Sequence, residues 1–474
     1  MTTDRSRLVP TLIYASLSTA VVSSLGMLLV PSIAADMDVS ISTAQWMLTI
    51  NLLAGAIATP VMGRLGDGPH QKRLLLIALG VVLLGCVVAA LAPTFEIFLI
   101  GRALQGLTYG IVPVTIAIAR QRVAPEHARN AISSLSVTVA SGMGIGYPLT
   151  GVIAGNWEYR AAFWFAALFV VTALVAVARG VPADIVDGVE KRPFDVPGTL
   201  LLASGLGLLL LGISEGGKWG WRSLEVEAVL IAAVVLLACW VVVELRASHP
   251  LINLRVFTRP DVLLANSTAI ALGGALYIGL SVSSLVAQAP EESGYGLALP
   301  VFWAGFVMLP LSVGSFTANR VVRRIRRRID LAILLPIGAG IMAGAAALLW
   351  VAHSELWELL VGMLLFGWGL GASYAAMPAL IARSVAAEEL GSSVSFNQVL
   401  RTVGSSFGTA VSAAVLAAHA GPGGAATDAG IAGTFQVSAL LCGAVFVVLA
   451  AHRLVFRRGH ASAREPRDAG DAVG

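Results

Sequence analysis

Two arginines carry the most informative chemistry in this sequence, because each lies deep within an apolar stretch. Arg102 sits in LIGRALQGLTYGIVPV, where Gln105, Gly106, Tyr109 and Pro113 share its helical face by three-and-four spacing. Arg401 sits in SFNQVLRTVGSSFGTA, on one stripe with Asn397, Gly404 and Gly408. A guanidinium at such depth is costly in hydrocarbon, so it faces a cavity, a partner or a ligand. The acids and histidines are placed differently, since none falls in the middle of an apolar stretch. Glu96, Glu215, Glu355 and Glu358 come near one set of stretch ends, and Glu244 and Asp261 near the other. The three cysteines, Cys86, Cys239 and Cys442, are scattered through apolar stretches and read as small buried hydrophobes. No metal-ligand spacing and no nucleophile–base pair is present. The chemistry on offer is recognition by fixed cations and polar groups, and enzymatic catalysis is not expected.

The elements that must position these residues follow from composition. Of 474 residues, 57% are apolar and 12% are charged, against about 25% charged in an ordinary soluble domain. The mean hydropathy is +0.84. Such a chain cannot cover a water-facing surface, and it lacks the weak alternating strands of a membrane barrel. An all-α polytopic membrane protein is expected. Fourteen apolar spans can be read, six before residue 179, two between about 198 and 245, and six from 260 on. Each can cross a hydrocarbon core of about 30 Å at about 1.5 Å per residue.

Charge sets the orientation. Placing both termini in the cytoplasm puts most of the 31 Lys and Arg on that side, including the run from Arg320 to Arg328. A plasma-membrane location is expected, with the basic run as a topology signal attracted to anionic lipid. The segment RGVPADIVDGVEKRPFDVP, with three prolines and mixed charge, reads as a linker. The expected domains are an N-terminal six-helix half at 1–178, a linker with two additional transmembrane helices at 179–259, a C-terminal six-helix half at 260–456 and a disordered cytoplasmic tail at 457–474. Both halves have a basic loop after their second span. Two similar six-helix halves suggest a transporter with its ligand near the midplane between them. Candidate lining residues are Ser23, Ser24, Asn51, Arg102, Gln105, Asn266, Tyr277, Trp368, Tyr374, Phe396, Asn397 and Arg401, because aromatics and a few polar groups suit drug-like ligands.

Two further motifs bear on movement and packing. The loop GRLGDGPHQKR holds Gly63, Asp67, Lys72 and Arg73. Glycine permits a tight helix end, and Asp67 can sit at a helix N-terminus or pair with a cation, which makes the loop a conformational latch. In SGMGIGYPLTGVIAG, the residues Gly142, Gly146, Pro148, Gly151 and Gly155 form a small-residue surface for close helix packing, with a proline kink.

These motifs resemble those of the major facilitator superfamily. The loop after the second span is similar to that family's G-x-L-x-D-R-x-G-R-R signature, departing from it at Gly68 and His70. The glycine–proline stretch resembles the exporters' G-x-x-x-G-P-x-x-G-G, with Tyr147 and Val152 as departures. The stretch Asn397, Arg401, Gly404 and Gly408 resembles the fourteen-helix drug:proton antiporter branch. The resemblance implies the major-facilitator fold, two six-helix halves plus two inserted helices. It also implies export of small amphipathic molecules by alternating access, coupled to protons. That branch has an Asp nine residues before the proline ending span one, and here that position is Val22. Uptake or export of an anionic metabolite by the same fold stands as the alternative. The expected partners are a small-molecule substrate, the lipid bilayer and protons. The working unit is expected to be a monomer, with no cofactor, no metal and no nucleic acid.

Overall fold

In the computed structural model, the described residues are 5–39, 41–44, 46–66, 68–184, 195–248, 250–252, 254–325, 329–386, 390–419, 421 and 426–462. They are helical almost throughout. Thirteen helices are long and apolar enough to cross a membrane. A fourteenth of membrane-crossing length, Pro125–Asn156, has 32 residues. Its second half is apolar, with glycines and serines interspersed.

The first set comprises α1 (Arg5–Ser24), α2 (Trp46–Gly66), α3 (Gln71–Leu91), the interrupted α4 (Phe95–Gln105 and Ile111–Arg122), α5 (Pro125–Asn156) and α6 (Tyr159–Gly180). A middle pair follows, α7 (Val196–Trp219) and α8 (Leu224–Arg246). The second set is α9 (Pro260–Gln288), the interrupted α10 (Val301–Val307 and Leu309–Ile325), α11 (Leu334–Val351), α12 (Leu356–Ser384), α13 (Leu390–Ala418) and α14 (Asp428–Ser462). Large apolar side chains such as Leu224, Val351 and Leu440 lie exposed on the outside, where lipid would cover them.

Local sequence explains the helix ends. Thr94 and Ser223 accept from the third residue ahead and cap α4 and α8, and Glu225 and Glu227 add negative charge to the first turn of α8. Glu355 and Glu358 form a capping box on α12. The break in α4 is a 3-10 turn, Gly106–Gly110. Pro113 accounts for it: proline cannot donate to the carbonyl four residues back, here Tyr109, and its ring crowds that carbonyl. Gly106 serves the same place by close approach, since a Cβ there would lie 2.7 Å from the Asn51 carbonyl oxygen on α2.

The two sets meet by backbone approach at small residues. A Cβ on Gly151 of α5 would lie 2.8 Å from the Val301 carbonyl oxygen at the start of α10, and one on Gly305 would lie 2.8 Å from that of Tyr147. This seam lies on the side of the membrane opposite the chain termini. Gly142 and Gly146 instead face α1, against Ala20 and Ser24. The glycine motif therefore serves two packing seams, with Pro148 at the turn-over. The middle pair has its own apolar cluster, in which Leu202, Leu206, Leu210 and Trp240 pack with Ala56 of α2 and Val399 of α13. The pair thus sits over the groove between α2 and α13.

Candidate functional site

A cavity lies between the two sets, with about 800 Å³ of empty space including its open mouth. The first set contributes Leu52, Tyr109, Val112, Pro113 and Ile116. The second contributes Leu276 and Tyr277 from α9, Tyr374 and Pro378 from α12, and Val394, Gln398, Arg401, Thr402 and Ser405 from α13. Tyr109, Tyr277 and Tyr374 stand near the middle of their helices. Ile116, Pro378 and Val394 lie further toward the side of the termini. The cavity therefore occupies the middle and the terminal side, while the glycine seam closes the opposite side.

Among the described lining residues, Arg401 is the one cation and none is Asp or Glu. The Arg401 guanidinium carbon lies 4.4 Å from the Tyr374 ring centroid. Its Nε–H is buried without a hydrogen-bond partner. The helix bearing Arg401 is held tightly to α9: a Cβ on Gly404 would lie 1.9 Å from the Ile270 carbonyl oxygen, and one on Gly408 would lie 2.3 Å from that of Gly274. Asn397 fastens the same seam, its side-chain amide donating to the Ala265 carbonyl at 3.1 Å and the Asn266 side-chain oxygen at 3.0 Å.

Arg102 has a different setting. It is almost fully buried, at 1% exposure, and its own set supplies its contacts. Nε donates to the Met47 carbonyl at 3.2 Å, one terminal nitrogen donates to Gln105 Oε1 at 2.5 Å, and the Phe163 ring lies 5.9 Å away. Asn51 donates to the Arg102 carbonyl at 3.0 Å. Arg102, Gln105 and Asn51 thus form one buried polar knot joining α2 and α4, off the cavity wall.

Of the twelve residues named from sequence, the structure puts Tyr277, Tyr374 and Arg401 on the wall. Asn266 and Asn397 are spent on each other. Ser24 donates to the Val21 carbonyl at 2.7 Å and approaches Thr150, while Ser23 Oγ is buried and unpaired. Trp368 is half-buried on α12. Phe396 turns toward the middle pair, stacked on Phe257 at 4.9 Å and Trp240 at 5.9 Å. It is one helical step, about 100°, from Asn397, and the two meet different neighbours, Phe396 the middle pair and Asn397 α9. Asp67 lies outside the described residues. Lys72 and Arg73 of the same loop offer their backbone N–H groups to Asp184, at 2.7 and 3.3 Å. Asp184 also pairs with Arg122 at 3.7 Å. It caps α3 with a carboxylate, where the helix dipole favours one.

A recurrence in the sequence marks the wall more sharply than depth does. The pattern G-x-[S/T]-Y-x-x-x-P occurs at Gly106 to Pro113 and again at Gly371 to Pro378. Both tyrosines and both prolines line the cavity. The glycine of each copy meets a neighbouring backbone, Gly106 that of α2 and Gly371 that of α10, and the hydroxyls of Thr108 and Ser373 are both buried without a partner. The two sets thus face each other through matched parts. The polar wall residues of α13 cluster about Arg401, with Gln398 and Ser405 on its face one turn to either side and Thr402 next to it in sequence.

The Major Facilitator Superfamily profile matches residues 11–408. The chain belongs to the Major Facilitator Superfamily. Its relatives include the multidrug resistance protein Stp of Mycobacterium tuberculosis, 28% identical over 82% of this chain and 71% of that one. Another is the tetracenomycin C resistance and export protein of Streptomyces glaucescens, 26% identical over 82% of this chain and 72% of that one. The chain spans about half, 55%, of the length of an uncharacterized MFS-type transporter of Mycobacterium tuberculosis to which it is 28% identical. Among solved structures, the human organic anion transporter MFSD10 superposes with a TM-score of 0.60 at 16% identity, over 92% of this chain and 99% of that one. At that identity the likeness is one of fold. The family is one of membrane transporters, so a lipid surround follows from membership.

Proposed function

We propose that the chain exports small amphipathic molecules across the plasma membrane by alternating access, with both termini cytoplasmic. The observation that carries this reading is the cavity itself, the walls of which come from both sets and meet through matched tyrosine–proline segments. A pocket built this way is exposed to one side or the other as the sets rock. The two sets act as halves, with boundaries near residues 178 and 260 and the middle pair as linker. Export rather than uptake draws support from the glycine–proline motif on α5 and from relatives whose names speak of drug resistance and of export. Proton coupling belongs to the same reading, through the resemblance to the antiporter branch.

The test uses inverted vesicles from cells overproducing the full chain, energised with a pH gradient, and a panel of amphipathic fluorescent compounds. Accumulation that collapses with an uncoupler is expected. Accumulation in right-side-out vesicles only would reverse the direction, and uncoupler-insensitive accumulation would remove proton coupling.

A further inference from the structure

The cavity wall is chemically lopsided. The first set offers Leu52, Val112, Pro113 and Ile116, with the Tyr109 hydroxyl as its polar group. The second set offers Arg401 with Gln398, Thr402, Ser405 and two tyrosines, beside Leu276, Pro378 and Val394. The positive charge and most of the polar groups are therefore gathered on the second set's wall. Among the described lining residues no carboxylate neutralises that charge. The Arg401 Nε–H is buried and unpaired, and a buried donor without an acceptor is costly.

Among the described residues, the Tyr374 side chain is the compensating neighbour of the Arg401 guanidinium, and it carries no formal negative charge. Arg102, the other intramembrane cation, carries the same sign and spends its hydrogen bonds on neutral acceptors. The face of Tyr374, which could otherwise hold a ligand cation, already carries Arg401. A permanent cation entering here would meet positive potential and no carboxylate. An acid would complete the Nε–H bond by a charge-assisted contact, the stronger kind of hydrogen bond.

We infer that the cavity selects aromatic acids, oriented with the carboxylate or phenolate on Arg401 and the ring system toward Tyr109 and the apolar wall of the first set. This rests on the export reading for its physiological sense, but ligand class and transport are measured apart. The guanidinium lies over the Tyr374 ring, and its planar fork can meet an acid through two donors at once. Lysine could supply the charge but not that geometry.

The test compares three probes on one frame: 2-naphthoate, its methyl ester and a naphthyl trimethylammonium ion, at pH 7.5. Binding to the purified full chain is read by fluorescence, and transport in inverted vesicles. Naphthoate should bind about tenfold or more tighter than the ester, with the cation weakest. Arg401→Gln should abolish the preference for acid over ester while leaving ester affinity within about twofold, and Arg401→Lys should keep its sign at reduced size. Ester binding reports that each variant is folded. Should Arg401→Gln lose the ester too, the ratios among the three probes in the unmodified chain and in Arg401→Lys decide. Equal or tighter binding of the cation overturns the inference, as does an unchanged acid-to-ester ratio in Arg401→Gln, or binding of no probe at all. Acid-selective binding without vesicle transport leaves the ligand class standing and sinks export. Equal transport of all three probes does the reverse.

Discussion

Replacing Gly404 by alanine tests whether the cavity helix is positioned by backbone contact. The added Cβ would lie 1.9 Å from the Ile270 carbonyl oxygen and 2.7 Å from its carbon. Neither atom can swing aside, because both belong to the α9 backbone. Ordinary contact begins near 3.4 Å, so α9 and α13 would have to part by about 1.5 Å. That separation would loosen the bonds from Asn397 to Ala265 and Asn266, two residues that face the same seam. Overpacking in a well-packed core costs about 1–3 kcal/mol, and the backbone obstacle puts this case at the upper end. At roughly 2 °C per kcal/mol for a long chain, the fall in melting temperature should be about 5 °C or more. Gly443→Ala supplies the control, since nothing lies within 4 Å of a Cβ on that residue of α14. There alanine's better helix propensity should leave stability unchanged or raise it by about 0.5–1 kcal/mol. Thermal unfolding in detergent by intrinsic fluorescence, with the two variants side by side, reads the sign of each. Should Gly404→Ala melt with or above Gly443→Ala, the backbone seam is not what holds α13 in place.

Arg102→Gln should lower the yield of folded protein and its melting temperature, because it empties a buried knot worth about 1–3 kcal/mol, whereas Arg401→Gln should leave melting nearly unchanged. Size-exclusion yield and melting curves separate the two. Asp184→Asn should cost about 1–2 kcal/mol by weakening the α3 cap, and the double variant with Arg122→Ala should lose less than the two single losses together, because Asp184 binds both partners. Burial pushes the Asp330 carboxyl up, but the Ala332 N–H and the Arg383 and Arg453 guanidiniums outweigh it and hold it below the usual carboxylate range. A depressed folded value gives stability that is present above the unfolded value of about 3.9 and is lost as pH falls through the folded one. Asp330→Asn should therefore flatten the melting profile below about pH 4, by a small amount because the carboxylate is half exposed and screened.

Hydropathy was enough to read the helices, because in lipid every backbone group must be bonded within its own segment. α5 declared itself through its small residues. The site was legible in part. Arg401 and Tyr374 stood out by depth and type, and so did Arg102, yet the two arginines have opposite settings. Depth says that a cation needs compensation, and only tertiary packing says whether a carbonyl or a cavity supplies it. Phe396 shows the angular version of that limit, since one residue along the helix separates the α9 seam from the middle pair. Asp184 was out of reach for another reason: it caps α3 from 112 residues away, and no local pattern encodes such a contact. The tyrosine–proline recurrence was present in the sequence throughout and required comparison of α4 with α12.

The distribution of forces between and within the sets bears on how the proposed cycle could run. Among the described residues, the ion pairs Arg160–Asp36 and Arg122–Asp184 close within the first set, and Arg383–Asp261, Arg383–Asp330 and Arg453–Asp330 within the second, where His353 and Asp428 share a hydrogen bond. The seam that shuts the side opposite the termini is of another kind. Gly151, Gly155 and Gly305 lie there against backbone and Phe302. Parting such a seam breaks close van der Waals contacts without stripping a charge of its partner, and dispersion contacts are individually weak, about 0.1–0.2 kcal/mol per atom pair. The pairs within the sets are mostly partly exposed and individually weak, with Arg122–Asp184 the most buried of those named. The readily parted glycine seam therefore favours motion of one set against the other. A bulky side chain at Gly305 would meet the Tyr147 carbonyl in the closed seam and nothing once the seam had parted, so it should bias the protein toward the state open on that side.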